Sequence, residues 1–101
     1  MLIAISKINV KKGHFEKVLP LLKENAAIGL SQKGCREGYI SKNIENSDEL
    51  LIYTLWNNQT EYEEARKRIK KDSGFQKLSF RLLPHLAKQP EINAYEIIPF
   101  D

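Results

Sequence analysis

Residues 50–62 join an apolar strand to a capped helix with almost no linker between them. The run Leu50–Trp56 is apolar or aromatic at every position except Thr54, and it ends on the only tryptophan of the chain. Asn58 then offers a helix N-cap, and Glu61 stands three residues later at the spacing of a capping box. A large aromatic side chain at this junction lies where sheet, helix and solvent meet. We therefore expect Trp56 to form a wall of a small-molecule cleft.

The patterns along the rest of the chain predict a β-α-β-β-α-β order. Strands are predicted at Leu2 to Val10, Arg36 to Ile44, Glu49 to Trp56 and Glu91 to Phe100. Helices are predicted from about His14 to Ser31 and from Asn58 onward, the second one split at Asp72-Ser73-Gly74. Pro20 should bend the first helix or mark a late start. This order is the ferredoxin-like arrangement, an α+β fold in which four antiparallel strands carry both helices on one face.

Apolar side chains are also predicted on the sheet face that points away from the helices. Alternation along the strands places seven of them there: Ile3, Ile5, Leu51, Tyr53, Leu55, Tyr95 and Ile97. Left bare, that face would be a large exposed apolar patch. We expect it to pack against the same face of a second subunit and to give a two-fold homodimer.

The length and charge of the chain narrow the range of partners. Its 101 residues predict a single domain over 1–101. The 16 basic and 13 acidic residues give a net charge of +3. Because the two signs are interspersed, we expect no nucleic-acid partner. The densest basic run, residues 66–71, is interpreted as a solvated helix face, with attraction of an anionic ligand as the alternative.

The cysteine content and the length of the apolar runs indicate the cellular compartment in which the protein is expected. Cys35 is the only cysteine, which excludes an internal disulfide and fits a reducing environment. It has no histidine near it in the sequence, so a nucleophilic role is not expected. The N-terminal apolar stretch is too short for a signal peptide, and no run approaches the ~20 residues of a membrane span. We expect a cytoplasmic protein that does not bind membranes.

The same motifs, taken in series, resemble the antibiotic biosynthesis monooxygenase domain. The matching segments are Ile5 to Gly13, the helix after it, Lys33-Gly34-Cys35, the strand ending at Leu55-Trp56, and Ala94 to Ile98. Their order and spacing agree over essentially the whole chain. The resemblance implies a dimeric α+β barrel with a cleft between sheet and helices in each subunit. Members include cofactor-independent monooxygenases of quinols and anthrones, haem-degrading enzymes, and proteins with no known activity.

Chemistry without a cofactor is feasible in such a cleft. A deprotonated phenol or quinol can itself reduce dioxygen by one electron, so the protein needs only to exclude water, hold the ring and move a proton. The leading hypothesis is a cofactor-independent monooxygenase acting on a small aromatic or quinol-type substrate. The alternatives are a haem-degrading monooxygenase and a non-catalytic small-ligand-binding dimer.

Two aromatic residues are the catalytic candidates. Trp56 offers a flat wall and one N–H donor that could reach a substrate oxygen, or else it only packs strand against helix. Tyr62 lies near the position at which the resemblance implies a proton-transferring tyrosine in anthrone-oxidising members. Helix periodicity could place Tyr62 beside Trp56 over the sheet, and plain core packing is the alternative.

Two polar residues are the substrate-binding candidates. Ser6 stands where haem-degrading members carry an asparagine, and its alternation with Ala4 and Ile8 turns it toward the helices. It could hydrogen-bond a ligand or satisfy a helix backbone group. Arg66 could supply a fixed positive charge at the cleft mouth, stabilising a phenolate or carboxylate without acting as a base. A solvent-facing arginine is the alternative.

The chain departs from the family at its histidines. Positions that hold histidine in many members are here Ala65 or Arg66, and Gly74, and the haem-ligand position is Ser79. His85 would be a displaced haem ligand at best, and His14 is expected to be exposed at the start of the first helix. No metal-ligand spacing occurs in the sequence. We therefore predict no metal and no cofactor, with haem kept as the alternative.

Overall fold

Four strands form one antiparallel sheet, and the helices between them cover one of its faces. The computed structural model describes all 101 residues. Its elements are β1 (Leu2–Asn9), α1 (Phe15–Leu30), β2 (Cys35–Lys42), β3 (Glu49–Trp56), α2 (Gln59–Lys71), α3 (Ser73–Leu82) and β4 (Glu91–Glu96), with a 3-10 turn at Leu83–His85. The strand order is β2-β3-β1-β4. The predicted ferredoxin-like α+β fold with a split second helix is confirmed.

The strand register assigns each side chain to a face of the sheet. On the helix side, Leu2 lies opposite Trp56 and Ser6 lies opposite Ile52. On the other side, the strand pairs are Ile3 with Leu55, Ile5 with Tyr53, and Ile3 with Tyr95. Because neighbours directly across a ladder share a face, six of the seven apolar side chains predicted on the outer face do lie together there, whereas Ile97 lies beyond the end of β4.

The core beneath the helices consists of two separate clusters. Nine buried residues form the larger one: Ile8, Val10, Val18, Leu21, Leu22, Leu50, Leu78, Leu82 and Leu86. Five form the smaller one: Leu2, Ala4, Trp56, Tyr62 and Ala65. Along β1, Ser6 separates the two clusters, because its side chain is small and polar and belongs to neither of them. The division leaves room for a cleft at the centre of the sheet.

Side-chain caps position the second and third helices. The Asn58 carboxamide accepts a hydrogen bond from the Glu61 N–H at 2.9 Å, so the predicted N-cap of α2 is confirmed. The Glu61 carboxylate accepts from the Asn58 side chain at 3.0 Å rather than from its backbone. Asp72 ends α2 and caps α3 through the Phe75 N–H at 2.9 Å. No helix is both long enough and apolar enough to cross a membrane.

Several element boundaries differ from the sequence prediction, including the end of β1 at Asn9 and not at Val10. The helix α1 begins at Phe15 and runs through Pro20, so a late start is wrong; Pro20 is exposed and removes only one hydrogen bond. The strand β2 ends at Lys42 and not at residue 44. The strand β4 ends at Glu96, which pairs with Leu2 of β1, and not at residue 100. Its last contact is the Ile97 N–H donating to the Met1 carbonyl at 2.9 Å.

Candidate functional site

A cleft with two adjoining lobes lies between the sheet and the helices. The Trp56 lobe has a volume of about 250 Å³, and its lining includes Ser6, Trp56, Tyr62 and Arg66. The Leu86 lobe has a volume of about 320 Å³ and extends along Leu82, Leu83 and Leu86. The residues common to both lobes are Ser6, Asn25, Ile52, Phe75 and Ile92. All four site residues predicted from the sequence therefore line a single lobe.

Trp56 forms the buried wall of this lobe. Its indole is only 3% exposed, and it meets the Tyr62 ring edge-on with the centroids 5.4 Å apart. The Nε1–H donates to the Thr54 hydroxyl at 2.8 Å, so the donor expected to reach a substrate oxygen is already engaged. Thr54 lines the lobe as well, and its own hydroxyl proton remains available because a hydroxyl can donate while it accepts.

The helix α2 presents one continuous stripe to the lobe. Tyr62, Arg66, Ile69 and Lys70 all line it, at the spacing that brings residues to one helix face. The Arg66 guanidinium lies 5.7 Å from the centre of the Tyr62 ring, within the range of cation–π attraction. Tyr62 also lines an open depression of about 340 Å³ beside Met1 and Glu96. The tyrosine ring therefore stands between the cleft and that depression.

The helix α1 contributes residues that the sequence prediction missed. Asn25 lines both lobes, and Ala26 and Gly29 line the Trp56 lobe. These positions follow the buried Leu22 at helical spacing, so a polar amide on the core-facing stripe of α1 was the available signal. With Ser6 and Thr54 on the sheet, Asn25 gives the cleft three small hydrogen-bonding side chains within an apolar wall.

The charged side chains of the cleft are all basic. Arg66 and Lys70 are the only arginine, lysine, aspartate or glutamate residues lining the Trp56 lobe, and the Leu86 lobe has none. The ion pairs of the protein join Lys7 to Glu49 and Lys88 to Glu91, so no carboxylate neutralises either cleft cation through an ion pair. The mouth of the Trp56 lobe is therefore electropositive.

Comparison with known proteins identifies the family. Residues 1–87 match the antibiotic biosynthesis monooxygenase family. The chain belongs to this family. Membership of the antibiotic biosynthesis monooxygenases supports a monooxygenase activity. No curated protein matches the sequence.

Solved structures show the same fold at low sequence identity. An antibiotic biosynthesis monooxygenase superimposes with a TM-score of 0.79 at 15% identity, covering 98% of this chain and 100% of the other. A conserved protein from Methanosarcina mazei gives 0.77 at 21%, covering 93% and 89%. A variant of SnoaB from Streptomyces nogalater, a cofactor-independent oxygenase, gives 0.76 at 12%, covering 95% and 91%. At these identities the likeness is one of fold.

Histidine is missing from the cleft of this antibiotic biosynthesis monooxygenase family member. Its two histidines instead contact each other: Nδ1 of His14 lies 3.0 Å from Nδ1 of His85, so one ring donates to the other. His14 is half-buried and not exposed as expected. The Lys11 N–H donates to the His85 carbonyl at 2.9 Å. The pair therefore ties the turn before α1 to the 3-10 turn.

The cleft residues do not fit a haem ligand. Ser79, at the position where haem-degrading members carry histidine, lines the Leu86 lobe, and a serine hydroxyl is not among the usual axial ligands of haem iron. His85 lines a separate open depression with Glu16 and Arg81. No group of three or more histidine, cysteine, aspartate or glutamate side chains is arranged to hold a metal ion.

Cys35 packs at the edge of the smaller core cluster and not in the cleft. Partial burial raises the pKa of its thiol above the ordinary value, and a hydrogen bond with the Glu37 backbone opposes that shift only in part. The thiol is therefore protonated at neutral pH, and the thiolate needed for nucleophilic attack is scarce.

Proposed function

We propose that this protein is a cofactor-independent monooxygenase that oxidises a small aromatic or quinol-type molecule with dioxygen in the Trp56 lobe. The observation that carries the proposal is the meeting of Ser6, Trp56, Tyr62 and Arg66 around one cavity of about 250 Å³. Family membership supports it. A further support is that SnoaB, which shares the fold, is itself described as a cofactor-independent oxygenase.

The apolar walls of the lobe would bind and dehydrate the substrate ring. Trp56 and Phe75 offer aromatic surfaces, and Ile52 and Ile92 complete an apolar enclosure. Ser6 and Asn25 can hydrogen-bond substrate oxygens. Arg66 would stabilise the phenolate or enolate form, since a nearby cation lowers the energy of an anion.

The chemical step would then proceed from the substrate anion. The anion transfers one electron to dioxygen, and the resulting radical pair combines to form a carbon–oxygen bond. Tyr62 donates a proton to the peroxide so formed and recovers one from solvent. Loss of the carbon-bound proton with cleavage of the O–O bond leaves a carbonyl group. One oxygen atom stays in the product and the other leaves as water.

The test is oxygen uptake by the metal-stripped protein with a panel of quinols and anthrones. Tyr62→Phe keeps the ring against Trp56 and removes only the hydroxyl, so we expect turnover to fall about 10²-fold or more, as for the loss of a general acid. Thr60→Val also removes one hydroxyl group from α2, at an exposed position that lines neither lobe, and this control should retain full activity. Turnover unchanged in Tyr62→Phe would remove the tyrosine from the mechanism. No uptake with any substrate of the panel would count against the oxygenase proposal.

We also propose that the active species is a homodimer formed through the outer sheet face. Tyr39 is 59% exposed and Tyr95 is 54% exposed in the single chain. The Tyr39 ring stacks on Tyr53 with the centroids 5.9 Å apart. These side chains, with Ile3 and Ile5, form a continuous apolar surface that a second copy would cover.

A non-catalytic ligand-binding dimer is the second candidate. The observation that favours it is the absence of histidine, the commonest general base, from the residues lining either lobe. Saturable binding of a quinol or anthrone without oxygen uptake would select this candidate over the oxygenase.

A further inference from the structure

Arg66 and Lys70 form an unneutralised pair of like charges on the cleft-facing stripe of α2. They are four residues apart, so their side chains emerge from the same face one turn apart. Such a like-charge pair destabilises a helix slightly unless an anion lies between the two groups. Both side chains line the Trp56 lobe, and neither takes part in an ion pair.

The rest of the cleft is uncharged. The Leu86 lobe is lined mainly by apolar side chains from α3 and the segment after it, with Ser79 and Gln89 as polar exceptions. Because the two lobes adjoin at Phe75 and Ile92, a ligand can extend from the basic mouth into an apolar interior. Because both cations lie at one end of the cleft and none lies at the other, a ligand should carry its negative charge at the end beside Arg66 and Lys70.

We propose that the cleft selects a ligand with an aromatic body and a carboxylate or similar anionic group. The anionic group binds between Arg66 and Lys70, and the body extends past Phe75 toward the Leu86 lobe. Arginine suits this role because its planar fork can make two parallel hydrogen bonds to a carboxylate. The inference rests on the proposed function in placing the substrate in the Trp56 lobe, and it adds the charge that the substrate carries.

The test compares two probes of nearly the same shape, 2-naphthoate and the neutral 2-naphthamide, by isothermal titration calorimetry. Two cations near the carboxylate should make the acid bind about tenfold more tightly than the amide at low ionic strength. Added NaCl should reduce the preference, since exposed charges are screened. The double variant Arg66→Gln/Lys70→Gln should bind both probes alike.

The matched control removes the same charge from the same helix. Lys67 and Lys71 are exposed on α2 and line neither lobe. The variant Lys67→Gln/Lys71→Gln should therefore keep the preference for the acid. Equal binding of the two probes by the wild-type protein would overturn the proposal. Failure of both probes to bind the wild-type protein would also overturn it. The same holds if the preference is lost in Lys67→Gln/Lys71→Gln but kept in Arg66→Gln/Lys70→Gln.

Failure of this inference can be distinguished from failure of the oxygenase proposal. Tight binding of the acid with no oxygen uptake for any hydroxylated aromatic acid would contradict the oxygenase and support the anion site. Turnover of a quinol by a wild-type protein that binds 2-naphthoate and 2-naphthamide equally would support the oxygenase and contradict the anion site.

Discussion

Gly34 occupies a position that no other residue can fill without strain. Its φ is +92°, and a Cβ atom built there would lie 2.6 Å from the Cβ of Glu61. The Gly34 carbonyl accepts from the Asn57 N–H at 2.9 Å, so the turn before β2 packs directly against the start of α2. The Lys33-Gly34-Cys35 motif thus positions the helix that carries Tyr62 and Arg66.

Gly13 provides the matched control for a test of this packing. Its φ is also positive, at +81°, but a Cβ there would have no neighbour within 4 Å. Gly13→Ala should lower the free energy of unfolding only by the cost of a left-handed backbone conformation, about 1–2 kcal/mol. Gly34→Ala should cost more than that, because Glu61 and the N-terminus of α2 must also shift. Urea unfolding of the two variants measures the difference, and equal losses would show that α2 moves aside freely.

At the scale of elements, a single residue, Asp72, separates the helices α2 and α3. It ends α2 and caps α3. Its carboxylate accepts from the Phe75 N–H at 2.9 Å, and Phe75 reaches into both lobes of the cleft. This cap therefore helps to position Phe75 at the junction of the lobes, together with the Gln76 side chain, which donates to the Lys70 carbonyl at 2.8 Å.

Removing this cap should lower stability without removing any core contact. We expect Asp72→Ala to reduce the free energy of unfolding by about 1 kcal/mol, the usual cost of a lost N-cap. Asp72→Asn keeps the acceptor oxygen and should restore most of that loss. Urea titration followed by circular dichroism measures both. A loss in Asp72→Asn equal to that in Asp72→Ala would assign the effect to charge and not to capping.

Elements defined by local signals could be predicted from the sequence. The cap at Asn58, the helix break at Asp72 and the strand ending at Trp56 follow from adjacent residues, so their positions were found; that Asp72 also caps α3 was not predicted. The hydrogen bond from Trp56 to Thr54 was also within reach, because residues two apart in a strand share a face. The contact of His14 with His85 was not, since it joins positions 71 residues apart and depends on how the completed fold packs.

Only part of the cleft lining could be predicted from the sequence, for a similar reason. Its four predicted residues come from β1, β3 and α2, and the wall formed by α1 was missed. Asn25 reaches the cleft only because α1 packs across the sheet at a particular rotation. That rotation is fixed by the packing of Val18, Leu21 and Leu22 into the nine-residue core cluster, and the spacing of Asn25 from Leu22 was the one local signal of it.

At the scale of the whole molecule, the outer sheet face sets the expected assembly. Ile5 lies on the central strand β1, opposite Tyr53 and Asn93, and a lysine there would place a charge in the middle of the proposed interface. We expect Ile5→Lys to convert the dimer into a folded monomer, because an unpaired charge is costly to bury. Analytical ultracentrifugation measures the mass, and circular dichroism checks the fold.

Ile44 is the control for this prediction. It lies in the hairpin between β2 and β3 and is 98% exposed, so Ile44→Lys makes the same change of side chain away from the sheet face. This variant should remain dimeric. A monomeric wild-type protein at all accessible concentrations, or a dimer that survives Ile5→Lys, would contradict an interface on this face.

The buried position of Trp56 also makes the cleft accessible to spectroscopy. It is the only tryptophan of the chain, so indole fluorescence comes from one point in the molecule, beside Tyr62 and next to the space a ligand would occupy. A compound that displaces water from that space should shift or quench the emission. Occupancy can thus be followed on the unlabelled protein, in real time and independently of any reaction.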